Sequence, residues 1–448
     1  MRFIENLVNM EQPDSQQATL HPSLYIKRMS RFLEILGNPE RSFKIIHIAG
    51  TSGKGSTSTM IANMLFEAGK NTGLYTSPHV TTTLERIRIN GAYLGAEAFC
   101  AIVDELTPAI EQMDAQTPFG RPSYVENMLA IAMIAFKKMR CEYVVLETGM
   151  GGLYDPTNVC TSEIQVITNI GFDHMQYLGN TLENIARNKI GIIKPNGRVF
   201  TAEKRPKIQN MIARRARTLH NRITIVRNTS EHINFTQTKT SFTYQNERYH
   251  LSMLGDAQLE NAILAIEVAR SMNIAPSAIK RGLKRTKLPC RLEIMNRNPL
   301  IILDGAHNID KIKNLTTFLD RLPEKGKKYL LLALVNTKAP QRILTSLLPY
   351  FDDITVTRFE NTFRKCYSPK ELVKIASRIT DKKINSSINP HLAMQKLLQR
   401  MNGDDTLIIT GSFFLAGELR THWISEEEIL SNNTARHNTY RKKHTTKT

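Results

Sequence analysis

At 448 residues, with 41% hydrophobic and 23% charged residues, the chain can bury two or three substantial cores and has the balance of an ordinary globular protein. No apolar stretch approaches the roughly 20 residues of a membrane span. The opening MRFIENLVNMEQPDSQQ is acidic and polar where a secretory signal is apolar, so membrane insertion and export are set aside. The net charge of +19 is spread along the chain, without an aromatic-interleaved RNA-binding signature; it reads as a background suited to anionic substrates rather than a nucleic-acid or membrane surface.

In chain order, FKIIHIAG (43–50) has the pattern of a short buried strand, and STSTMIANMLFEAGK has helical periodicity closing at Gly69. TGLYTSP reads as a second strand, giving a β–loop–α–β unit whose glycine-rich turn can aim amide N–H groups at an anion. EYVVLETG (142–149) and IQVITNIG (164–171) are continuous apolar runs, each with polar residues just past its end, where open α/β sheets place ligands. A turn-rich region at about 196–250 includes FTYQNERYHLSML, which alternates like a hairpin, and AQLENAILAIEVARSM follows as a helix. From KLPCRLEIMNRNP the strand–helix pattern restarts with PLIILDGAHN, KYLLLALV, DITVTRF and TLIITGS. Two α/β units are therefore expected, over 1–290 and 291–430, with residues 431–448 as a basic disordered tail. Five scattered cysteines (Cys100, Cys141, Cys160, Cys290, Cys366) show no metal spacing, and their odd count argues against a disulfide framework; a reducing, cytoplasmic location is expected.

The loop HIAGTSGKGSTST departs from the standard phosphate loop: two residues separate Gly50 from Gly53, and Gly55 stands between Lys54 and Ser56. Its glycines still permit close backbone approach to a phosphate, Lys54 can neutralise charge, and Ser56, Thr57 and Ser58 open the helix with its positive end toward a ligand. An ordinary glycine turn with an N-cap is the alternative. Glu147 closes a buried strand where acids are depleted, and a carboxylate beside a phosphate loop suits Mg²⁺. Ser77 in YTSPHV is equally a turn signal. His174 in GFDH says little alone, and Lys189 sits in an apolar run from which most lysines extend to solvent. Asp304, His307 and Asn308 in LDGAHN lie at a strand end, where Asp304 or Asn308 could simply cap a helix.

The ordered series LGNPE…IHIAGTSGKGS, TSPHV…ERIRING, ETGMGGLYDPTN, ITNIGFDHMQYLGNTLENIARNKIGIIK, LPCRLE…ILDGAHN and ITGSFFLAGE closely resembles the folylpolyglutamate synthase and dihydrofolate synthase family, the folate branch of the Mur ligase superfamily. The resemblance covers roughly residues 20–420. It implies an α/β protein with an N-terminal P-loop-type Mur ligase ATPase domain and a smaller C-terminal Rossmann-like α/β domain. It also implies an ATP-dependent ligase that joins L-glutamate to dihydropteroate or reduced folates through an acyl phosphate. By position it assigns ATP to Gly53, Lys54, Gly55, Ser56, Asn261, Arg291, Asp304 and His307, and Mg²⁺ to Ser77, Glu147 and His174. Lys189 matches the lysine that the family carbamylates; with Lys54 and His174 it makes the implied catalytic set. Ser123, Tyr124, Val125 and Glu126 (PSYVE) and Tyr154, Asp155 and Pro156 (LYDPTN) match the pterin-substrate segments, with Asp155 as acceptor for the pterin amino group. A monomer without nucleic-acid or membrane partners is expected.

The sequence departs from the family pattern at Leu153 (Arg is common), Pro156 (Ala), Ala257 (His), Cys290 (Gly) and the turn VNTKAP. Another Mur-type ligase acting on a different acid is the nearest alternative, although no added N-terminal domain for a UDP-sugar substrate is expected, the phosphate loop beginning only about 45 residues into the sequence. A non-catalytic nucleotide-binding relative is the other.

Overall fold

A computed structural model of the chain describes residues 22–236, 239–322, 324–336, 339–360 and 365–429; the basic tail expected over 431–448 lies outside them. The first sheet is built from β1 (Lys44–Ala49), β2 (Thr72–Tyr75), β3 (Ile87–Ile89), β4 (Ala92–Tyr93), β5 (Tyr143–Glu147), β6 (Ile164–Ile167), β7 (Arg198–Thr201) and β8 (Arg222–Ile225). Their order is β4-β3-β2-β5-β1-β6-β7-β8. β2, β5, β1, β6, β7 and β8 run parallel, while β3 and β4 extend one edge antiparallel. The sequence reading did not anticipate that edge, because its strands are only three and two residues long.

β1 is central, and its alternation divides the core. Ile46 and Ile48 pack with Met60, Ile61 and Met64 of the helix Lys54–Glu67, whereas Ile45 packs with Met128, Ala132 and Phe136 of the helix Tyr124–Lys138. The helix Lys54–Glu67 is buried continuously from Ser56 to Leu65. It runs between the sheet and the helices Asp256–Ser271 and Pro276–Arg285, which explains its lack of a polar face. β9 (Glu231–Phe235), β10 (Thr240–Tyr244) and β11 (Glu247–Leu251) form a small antiparallel sheet that contains the expected hairpin.

The second large sheet comprises β12 (Glu293–Arg297), β13 (Leu300–Leu303), β14 (Lys328–Leu332), β15 (Asp353–Val356), β16 (Ile384–Ser386) and β17 (Thr406–Thr410), in the order β12-β13-β17-β14-β15-β16. All of these strands are parallel except the edge strand β12. The two α/β units meet directly. A Cβ on Gly417, in the helix Phe413–Arg420, would lie 2.3 Å from the Val80 carbonyl oxygen, so only glycine admits the 77–86 loop of the first unit at this point. Val80 joins the second unit's apolar core beside Phe413 and Trp423. Arg321 adds a surface clamp, donating to both Asp256 carboxylate oxygens at 2.9 and 2.7 Å. Among the described residues no helix is long and apolar enough to cross a membrane.

A fully buried ion pair anchors the helix Ser23–Ile35, the first among the described residues. Arg28 and Glu126 are both 0% exposed and meet at 2.7 Å, with Arg28 Nε also 2.9 Å from Oε1. Glu126→Leu would strand the guanidinium in the core, and is expected to destabilise the fold by about 3–5 kcal/mol, whereas replacing both partners by apolar residues is far milder. Urea denaturation of Glu126→Leu and of Arg28→Met/Glu126→Leu checks this; a double variant no more stable than the single would refute it.

Candidate nucleotide and substrate cleft

β1 delivers the glycine loop at its C-terminal end. The helix begins at Lys54, half a turn before the Ser56 start read from the sequence, because Gly53 takes the N-cap position with φ 81°. That left-handed conformation is open to glycine and costly for other residues. The outer side of the loop is tied to the segment after β6. Thr51 N donates to Asn169 O and Ser52 N to Asn169 Oδ1, both at 2.9 Å, while Thr168 Oγ1 donates to Ser52 O at 2.7 Å. On its other side, a Cβ at Gly53 would lie 2.1 Å from Asn261 Oδ1, and one at Gly55 would lie 3.2 Å from Glu147 Oε2. The fold thus gathers Gly53, Gly55, Asn261 and Glu147, which are scattered in sequence. Ser52 Oγ and Thr57 Oγ1 are buried without a hydrogen-bond partner among the described residues. Unpaired hydroxyls beside a helix N-terminus and two close-approach glycines fit an anionic phosphate chain.

Two lysines converge on one acceptor. Lys54 Nζ and Lys189 Nζ both donate to the Gly50 carbonyl, at 3.2 and 2.9 Å. Lys189 does not extend to solvent: it is 3% exposed. Burial, followed by the neighbouring Lys54 charge, pushes its pKa down to about 7, against an upward pull from Asp173 and Asp155. Near neutral pH its amine is therefore substantially uncharged and nucleophilic.

Glu147 ends β5 with its carboxylate buried, and burial raises its pKa while Lys54, the Ser77 N–H at 3.1 Å, Arg291 and Arg86 oppose that shift. Ser77 and Glu147 are therefore in direct contact. His174 has φ 50°, opens the short helix Met175–Leu178 and sits 3.8 Å from Asp173, the acid whose field reaches Lys189. Among the described residues no three His, Cys, Asp or Glu side chains converge as a metal centre. A cation beside Ser77 and Glu147 would find a hydroxyl, a carboxylate and the oxygens of a bound phosphate, donors that suit a hard, partly hydrated ion such as Mg²⁺.

The second unit contributes from the strand end of β13. Asp304 accepts from Leu292 N at 3.0 Å and Ala306 N at 2.8 Å, so its carboxylate holds the local turn; burial raises its pKa against the pull of Arg291. Asn308, not Asp304, caps the helix Ile309–Leu319. Arg291 stacks 4.2 Å over Phe413 and its charge reaches both Asp304 and Glu147. It therefore links the two units electrostatically. His307 pairs through Nδ1 with Gly305 O at 2.8 Å and through Nε2 with Lys311 Nζ at 3.1 Å.

One of the expected substrate segments adjoins these residues: a Cβ on Gly149 would lie 3.4 Å from Asp155 Oδ2 and 3.7 Å from Ser77 Oγ. Ser123 caps the helix Tyr124–Lys138 in a reciprocal box with Glu126. The Glu126 carboxylate is consumed by that box and by Arg28, which makes it an anchor of the segment. Tyr124 lies under the Arg86 guanidinium at 5.4 Å, and Val125 packs on the core. Asp155 caps the turn Pro156–Val159, accepting from Thr157 and from Met150 N, and burial raises its pKa; Tyr154 and Pro156 flank it, half-buried. Leu153, with backbone N donating to Asn188 O at 2.8 Å, is 37% exposed. Cys290 has φ 53° and is fully buried, which shows why glycine suits this position: a side chain there costs about 1 kcal/mol of backbone strain.

Sequence reasoning missed Arg86, His79 and Asp173. Arg86 Nε donates to His79 Nδ1 at 3.1 Å, beside the Glu147 carboxylate it influences. The signal was present in TSPHV, ERIRING and GFDH, but nothing in a linear pattern says which charged residues point inward.

The Mur ligase middle domain family matches residues 48–269, and the dihydrofolate synthetase C-terminal domain family matches residues 288–422. The chain is 32% identical over 410 residues to a dihydrofolate synthase/folylpolyglutamate synthase of Bacillus subtilis, covering 88% of this chain and 93% of that one. Its fold superposes on Mycobacterium tuberculosis folylpolyglutamate synthase complexed with ADP and AMPPCP (TM-score 0.82, 27% identity, 89% of this chain and 95% of that one). It also superposes on folylpolyglutamate synthase from Thermotoga maritima (TM-score 0.80, 28% identity, 96% and 97% covered). The likeness thus runs along nearly the whole length of these relatives, and the chain belongs to the dihydrofolate synthase/folylpolyglutamate synthase family of Mur ligases.

Proposed function

We propose that the protein is an ATP-dependent amide ligase that adds L-glutamate to dihydropteroate, to reduced folates, or to both. The observation that carries this reading is the convergence of Lys54 and Lys189 on the Gly50 carbonyl, with Glu147 against Gly55. A carboxylate is a poor electrophile until one of its oxygens can leave as phosphate. In this reading its oxygen attacks the γ-phosphorus of ATP, ADP departs, and the glutamate amine then displaces phosphate from the acyl carbon. The charge that develops in the first step is met by Lys54 and the loop amides. Gly53, Gly55, Ser56 and Asn261 hold the phosphates; Arg291, Asp304 and His307 meet the nucleotide from the second unit, so activity needs the two units closed.

Ser77, Glu147 and His174 would hold Mg²⁺, which when bound supplies positive charge to the phosphate oxygens. The partly neutral amine of Lys189 suits carbamylation: its lone pair attacks the carbon of CO₂, a proton leaves, and an anionic oxygen donor replaces a cation. Asp155, with Tyr154 and Pro156, and the Ser123–Glu126 segment are assigned to the pterin-bearing acceptor, and the protein is taken to act as a monomer with its domain division near residue 290.

The test is a ligation assay with ATP, Mg²⁺ and labelled glutamate, offered dihydropteroate or a reduced folate monoglutamate. Label incorporation with matching phosphate release is expected with at least one acceptor. Protein that binds ATP but incorporates no label with either would sink the reading.

A further inference from the structure

β1 carries a second polar residue besides its loop. His47 lies in the middle of the central strand, between Leu146 and Gln165 in register, and is 0% exposed. Its Nε2 is 2.8 Å from Thr157 Oγ1, and Thr157 Oγ1 in turn is 2.5 Å from Asp155 Oδ1. His47 Nδ1 is buried with no partner among the described residues.

A threonine hydroxyl has one proton, so the chain can be polarised in only two ways. If Asp155 is a carboxylate, Thr157 donates to it and His47 must donate from Nε2, leaving Nδ1 as a bare lone pair. If Asp155 is protonated, the chain reverses and a buried Nδ1–H is left without an acceptor. Orphaned buried donors are rarer than under-used acceptors, which favours the first arrangement. Asp155 also receives Thr157 N at 3.1 Å and Met150 N at 2.9 Å, and both donors stabilise the carboxylate. Burial pushes the His47 pKa to about 3, so the imidazole stays neutral at working pH and the polarity does not switch.

We propose that His47 is a positioning residue for the acceptor substrate: through Thr157 it fixes the Asp155 carboxylate as an anionic acceptor for an N–H group of the ring system that occupies the cleft. This rests on the assignment of Asp155 to the acceptor substrate in the proposed function. The predicted contribution is that of one well-oriented hydrogen bond to a charged group.

His47→Leu removes the donor; His47→Gln keeps an amide N–H near the place of Nε2. Thr157→Val and Thr157→Ser form the matching pair one link along. With the full-length protein, His47→Leu and Thr157→Val are expected to raise KM for the pterin acceptor about tenfold, with KM for ATP unchanged, while His47→Gln and Thr157→Ser restore most of the loss. Long-range ¹⁵N–¹H NMR of the wild type should show His47 as the neutral Nε2–H tautomer from pH 5 to pH 8. An unchanged acceptor KM, or ATP and acceptor KM rising together, would overturn the proposal, as would an Nδ1–H tautomer. Should the Leu variant fail to fold, the Thr157 pair decides. A wild type that ligates neither acceptor would instead remove the functional reading, and the tautomer would still be decided by NMR.

Discussion

Replacing Lys189 by alanine is expected to lower turnover about a thousandfold, while leaving the dissociation constant for ADP within about threefold. The residue is buried and, among the described residues, its amine donates to the Gly50 carbonyl alone, so its loss removes little of the phosphate cradle. What disappears is the group that a carbamate would be built on. With its pKa near 7, the amine is mostly protonated below that value and cannot attack CO₂. Activity should therefore fall along an acid limb centred near pH 7, and added bicarbonate should raise the rate most on that limb. Unchanged turnover in the alanine variant, or no response to bicarbonate, would remove the carbamate role.

The same burial carries a stability consequence of opposite sign to most ion pairs. A lysine lowered from 10.5 to about 7 binds fewer protons folded than unfolded between those values, so stability rises with pH across that window and the full penalty is present below pH 7. Lys189→Met, compared with the uncarbamylated wild type, should be more stable at pH 6 by up to about 5 kcal/mol, converging toward pH 10. Denaturant midpoints across pH measure this.

Lys54→Met is expected to lower turnover by about three orders of magnitude and to weaken ATP binding as well, because this lysine meets phosphate charge in both ground and transition states. It also has two electrostatic neighbours. Its charge lowers the pKa of Glu147 and that of Lys189; without it, Glu147 should become harder to ionise and Lys189 easier to protonate. In the residual activity of Lys54→Met the acid limb set by Lys189 should therefore move to higher pH, because the repulsion that lowered its pKa is relieved. Label incorporation measured from pH 6 to pH 9 checks this, and an unshifted limb would show that the two lysines do not interact.

The glycine loop, the strand ends and the series of short motifs were legible because each is local. GTSGKGS follows a buried strand and opens a helix, and the physics of that arrangement is written within 15 residues. The hairpin at 240–251 and the strands β13, β14, β15 and β17 were equally readable from alternation and apolar runs. The short antiparallel edge β3–β4 and the edge strands β12 and β16 were not, because strands of two to five residues at a sheet edge carry no period that stands above chance.

The sequence by itself determined the class of chemistry: a phosphate loop with glycine in place of the usual hydroxyl, and a strand-end acid that could replace that hydroxyl as a metal ligand. It could not decide which side chains are consumed by the protein's own architecture. Glu126 looked available, yet its carboxylate is locked to Arg28 and to the Ser123 cap, and Asp304 already holds two backbone N–H groups with part of its acceptor capacity. Nor could it reveal that Lys189, 135 residues after Lys54, shares its acceptor, or that His47 reaches Asp155 through Thr157. Those relations depend on which faces of β1 and its neighbouring strands the crossovers bring together. Desolvation and charge proximity, which set the reactivity of Lys189 and Glu147, exist only once that packing has formed.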